Sequence, residues 1–101
     1  MNRDLTPKDG ARLLLELVRD AGASASYRAA IYTPDATFEG EATLGDDGAV
    51  ELAIAGAPDE LGEAMRMQAR LVARAASKLR DDGLAPWPSR VLRWRGPGRG
   101  G

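Results

Sequence analysis

The sequence predicts a two-layer α+β domain, an antiparallel three-stranded meander with a short fourth strand, covered by two helices in the order α-β-β-β-α-β. Three observations predict it. Apolar residues recur at helical spacing near both ends of the chain, they alternate with polar ones in the middle, and two turn segments fix one common strand register. The 101 residues suffice for one core. They divide into a domain over residues 1–95 and a glycine-rich tail, residues 96–101, expected to fray.

The first helix is predicted over residues 7–21. Thr6 is a good N-cap and Pro7 suits the first helical position, where its missing N–H costs nothing. Asp9 meets the positive end of the helix dipole, and Gly22 suits the position just past the end. Between them Leu14, Leu17, Val18 and Ala21 share a stripe, with Leu13 and Leu15 beside it.

The period then changes to two. Tyr27, Ala29 and Ile31 alternate with Arg28, Ala30 and Tyr32; Phe38, Gly40, Ala42 and Leu44 alternate with Thr37, Glu39, Glu41 and Thr43. Val50, Leu52 and Ile54 follow, alternating with Glu51 and Ala53. A two-residue turn at Pro34-Asp35 sets Ile31 opposite Phe38 and Arg28 opposite Glu41. A loop from Gly45 to Ala49 sets Leu44 opposite Val50 and Ala42 opposite Leu52. A one-residue slip in either hairpin would invert a strand. One face is thus apolar, and the other carries Arg28, Tyr32, Glu39, Glu41 and Glu51.

The second helix is predicted over residues 58–81, with Asp59 and Glu60 in its first turn and Gly83 past its end. Leu61, Met65, Gln68, Ala69, Val72, Ala76 and Leu79 form its apolar stripe. Residues 84–88 contain Pro86 and Pro88 and read as a stiff connector. Residues 89–95 alternate again, which predicts the fourth strand.

Composition excludes whole classes of chemistry. Without cysteine there are no disulfides, thiolate metal sites or thiol nucleophiles; without histidine there is no Ser-His mechanism and no imidazole ligand. The carboxylates Glu39, Glu41 and Glu51 share a face, but such a pattern is the ordinary polar side of a half-buried sheet. The glycine-rich segment from Gly96 has no helix after it to complete a phosphate loop. The expectation is a protein that is not an enzyme and carries no cofactor and no metal. No leader or membrane-spanning run is visible, so the expected location is cytoplasmic, away from membranes. The bias toward Ala, Gly and Arg points to a GC-rich, bacterial genome.

Charge is the strongest functional signal. The formal net charge of −1 hides a division. Residues 1–61 hold 5 basic and 12 acidic residues, whereas residues 62–101 hold 9 basic and 3 acidic ones. Arg66, Arg70, Arg74 and Lys78 repeat every fourth residue on the second helix, and like charges at that spacing slightly destabilise a helix. Local helix stability does not call for this stripe. Three readings follow: neutralisation against the chain's own acidic surface, self-association of an acidic face with a basic one, and nucleic-acid binding. The favoured function is a protein-interaction or oligomerising adaptor, self-associating as a homodimer or taking another protein partner. Its expected contact residues are Arg66, Met67, Arg70, Arg74, Arg93 and Trp94. The alternative is nucleic-acid binding through the arginine stripe and Trp94, which the sequence pI of about 5.4 disfavours.

Overall fold

Strand pairing governs the chain from its first described residues. A computed structural model describes residues 10–95 and gives a mixed α+β fold, a five-stranded antiparallel sheet with one helix. The strands are β1 (Ala11–Asp20), β2 (Ser24–Tyr32), β3 (Thr37–Gly45), β4 (Val50–Ile54) and β5 (Arg90–Arg95). The helix α1 (Asp59–Asp81) lies between β4 and β5 in sequence, and the sheet order is β4-β3-β2-β1-β5. The proposed N-cap residues Thr6, Pro7 and Asp9 and the tail lie outside the described residues.

The predicted first helix is a strand. Its leucines satisfy both periods: Leu13, Leu15 and Leu17 alternate as readily as Leu14, Leu17 and Val18 recur. Tertiary pairing decides between them. β1 lies between β2 and β5 and hydrogen-bonds on both sides. Leu13, Leu14 and Leu15 are all buried, as suits a strand in the interior of the sheet. Gly22, read as a helix end, instead takes a positive φ of 84° in the β1–β2 turn.

The other elements follow their local patterns. Thr33 N–H donates to the Ala36 carbonyl (2.8 Å), closing the turn at Pro34-Asp35. Ile31 then pairs with Phe38 and Arg28 with Glu41. Gly45 N–H donates to the Ala49 carbonyl (2.9 Å), and Leu44 pairs with Val50 and Ala42 with Leu52. On β3, Gly40 is required for close approach, because a side chain there would run into the Ala53 carbonyl of β4. At the end of α1, Gly83 adopts φ 80° while Leu84 N–H donates to Leu79 carbonyl (2.8 Å).

The core lies between the sheet and α1. Met65, Ala69, Ala73 and Ala76 of the helix pack against a face that includes Leu13, Leu15, Tyr27, Ala29, Ile31, Ala42 and Leu44. Three alanines on the helix allow close approach to β3 and β4. Trp87 closes one end of the core, its Nε1–H donating to the Gly22 carbonyl (2.9 Å). The same carbonyl accepts from Arg80 Nη2 (2.7 Å), so the β1–β2 turn is tied to both the helix and the connector. Tyr27 Oη donates to the Pro88 carbonyl (2.7 Å). Burial, with the Asp20 carboxylate as a smaller cause, pushes the Tyr27 hydroxyl up to about 12.

Candidate functional site

One helix covers one face of the sheet, so the molecule presents two unlike broad surfaces. The first is the outer side of α1. Helical geometry places Arg74 and Lys78, with Met67 and Leu71, opposite the buried row Met65–Ala69–Ala73–Ala76, and Arg70 at the edge of that outer face. The Arg74 stem lies toward the β3–β4 turn, where a side chain at Gly48 would meet its Cγ. Met67 is 62% exposed and Leu71 57%. Arg66 sits at the flank, half-buried, with Nε 3.6 Å from Glu63. Lys78 pairs with Asp82 at 3.3 Å, and Arg80 reaches Asp46 at 2.9 Å. Among the described residues Arg70 and Arg74 form no ion pair.

The second surface is the uncovered face of the sheet. Alternation places Arg12, Leu14 and Glu16 of β1 there, beside Tyr32, Ala30 and Arg28 of β2. On β3 and β4 it carries Glu39, Glu41, Thr43 and Glu51, and on β5 Arg90, Leu92 and Trp94. Arg28 lies opposite Glu41 as the register requires, but its guanidinium turns elsewhere. It approaches Glu16 (3.5 Å) and Glu39 (3.8 Å), so Glu41 is left without an ion pair among the described residues, as is Glu51. The face is therefore acidic toward β3 and β4.

A shallow groove of about 460 Å³ crosses this acidic region, lined by Val18, Ser26, Arg28, Glu39, Glu41 and Thr43, among others. Its apolar member arises from an irregularity. The β1–β2 register shifts between Leu17 and Arg19, which leaves Val18 unpaired and 69% exposed. The groove is open and its carboxylates are exposed, an arrangement suited to surface contact.

The expected contact residues do not form one surface. Arg66, Met67, Arg70 and Arg74 are together on α1. Arg93 aligns with Leu13 and so lies on the helix side of β5, exposed at the sheet edge, with Nη1–H donating to the Leu92 carbonyl (3.1 Å). Trp94 aligns with Arg12 and lies on the uncovered face, 59% exposed. Sequence reasoning places Arg93 and Trp94 on opposite sides of the strand through their alternation, yet groups them in one contact set. It also missed Val18, whose exposure depends on a bulge, and Leu71, whose place beside Met67 was legible from helical spacing.

Among the described residues, no group of three or more His, Cys, Asp or Glu side chains is placed to hold a metal ion, and no helix is long and apolar enough to cross a membrane. The chain matches no protein-family model, no curated protein and no solved structure at a significant level.

Proposed function

We propose that this protein is a non-catalytic interaction module that docks an acidic protein surface on the outer side of α1. The observation that carries this reading is the contrast within one helix. Arg66, Lys78 and Arg80 have carboxylate partners, whereas Arg70 and Arg74 have none among the described residues and stand beside exposed Met67 and Leu71. Unpaired guanidinium groups around an apolar centre suit a partner that brings carboxylates and a small apolar contact. In this reading the protein works in the cytoplasm, without a cofactor.

A second reading, single-stranded nucleic acid at the β5 end, is favoured by one cross-strand row. Trp94, Arg12 and Tyr32 lie side by side on β5, β1 and β2 of the uncovered face, with Arg90 on the same face. Aromatic rings beside arginine form a platform on which bases stack. The carboxylates of β3 and β4 on the same face work against a phosphate chain.

Fluorescence anisotropy separates the two readings. A labelled glutamate-rich peptide should bind at low salt, and R70E with R74E should weaken it at least about tenfold, like charges now facing each other. W94A should leave that binding unchanged. Absence of peptide binding, or peptide binding indifferent to Arg70 and Arg74, defeats the first reading. Binding of a labelled single-stranded oligonucleotide that W94A abolishes establishes the second in its place.

A further inference from the structure

The two surfaces complement each other, and they face in opposite directions. α1 covers one side of the sheet; the acidic region and its groove lie on the other. The outer side of α1 points away from both. Arg70 and Arg74 form no ion pair with Glu41 or Glu51 of the same chain, although the Arg74 stem lies toward the β3–β4 turn. We infer that the partner of α1 is a second copy of this chain, whose uncovered sheet face receives the helix in the groove beside Glu41 and Glu51. The inference rests on the reading that α1 is the docking surface and names its occupant.

Four features support the match. Charge is the first: unpaired Arg70 and Arg74 would meet unpaired Glu41 and Glu51. Spacing is the second. Residues four apart on a helix rise about 6 Å along the axis. Glu41 pairs with Ala53 while Thr43 pairs with Glu51, so the two glutamates are diagonal cross-strand neighbours, about 7–8 Å apart. Two cations thus meet two anions at nearly equal separation. Shape is the third, because a convex helix faces a shallow groove. Apolar contact is the fourth: Met67 and Leu71 project from the helix, and Val18 is exposed at the groove. The sheet, covered by one helix in a single chain, would gain a helix on its second face.

This interface is heterologous. Each copy offers one helix and one sheet face on opposite sides, so docking consumes neither the helix of the receiving copy nor the sheet of the donating one. Association then continues head to tail unless a ring closes. A twofold dimer joining like faces would oppose arginine to arginine or glutamate to glutamate.

Sedimentation of the full chain across a wide concentration range tests the inference. The average mass should rise with concentration beyond that of a dimer, and added salt should reverse the rise. R70E with R74E, and separately E41R with E51R, should each hold the chain monomeric, weakening association at least about tenfold. Mixing the two variants in equal amounts should restore association, because each then supplies the charge the other needs. All four positions are exposed, and circular dichroism of each variant should match the parent.

A wild-type chain that stays monomeric overturns the inference, as does a plateau at dimer mass or a mixture that fails to associate. If the monomeric chain still binds the glutamate-rich peptide through Arg70 and Arg74, only the second copy is lost and the docking surface stands. Loss of peptide binding as well defeats both.

Discussion

The two faces of this sheet are built from alternate residues of the same strands, yet they follow different rules. Toward α1 the residues are apolar and mostly small or branched: leucines on β1, then alanines on β2 and β3. Away from α1 they are long and charged, and Arg28 is shared between Glu16 and Glu39. Leu14 and Ala30 are the exceptions, being buried on the uncovered side and outside the cluster that α1 seals. Cohesion and recognition are thus separated by the pleat. Substitutions on one face should alter stability, and those on the other should alter association.

The largest expected effect compares neighbouring leucines. Leu15→Ala empties a site enclosed by sheet and helix, and should cost about 3–4 kcal/mol in urea unfolding. Leu14→Ala should cost about 2 kcal/mol, the low end for a buried leucine, because no helix covers that face and the space can open to solvent. Equal losses would show that the uncovered face is as cohesive as the sealed one, and would break the comparison.

That contrast also explains what the sequence makes legible. The turns at Pro34-Asp35 and Gly45–Ala49, the α1 helix and the final strand follow from local pattern, because each is bounded by residues with one conformational use. β1 does not. A run of leucines flanked by charges fits both periods, and helix propensity favours the wrong one. Pairing on two edges, with partners in β2 and in β5 some eighty residues away, overrides it. The same non-local pairing decides which side of the sheet Trp94 takes. The arginine stripe on α1 was legible because helical spacing alone assembles it. The groove was not, since it needs β1 to be a strand and needs the bulge that displays Val18.

An intermediate effect probes how the sealed face is closed at its end. Tyr27 reaches out of the core to the Pro88 carbonyl, and Y27F should lose about 1 kcal/mol with that hydrogen bond. Its pH dependence has a defined sign. The hydroxyl is raised from 10.0 to about 12 in the folded chain, so folding favours the protonated form. The contribution is complete below pH 10 and declines as pH rises toward 12. The stability gap between wild type and Y27F should therefore be constant up to pH 10 and shrink above it. A gap that persists unchanged to pH 12 would mean that the hydroxyl is solvated and the end of the core open.

The smallest effect is expected at the centre of the uncovered face. Arg28 approaches two carboxylates, yet the three side chains are 41–61% exposed, and Arg28 Nη1, itself buried, has no hydrogen-bond partner among the described residues. Water screens such pairs, and ordering three flexible chains offsets much of the attraction, so Arg28→Ala should cost less than about 1 kcal/mol. Its influence on association should have the opposite sign from that of Glu41. Removing a cation beside the groove makes the acidic region more negative, which should strengthen docking of a basic helix while leaving the fold almost unchanged. Urea unfolding and sedimentation on the one variant read both consequences. A substitution that weakened folding and assembly together would place Arg28 in the cohesive part of the molecule, and the division between the two faces would fall at its centre.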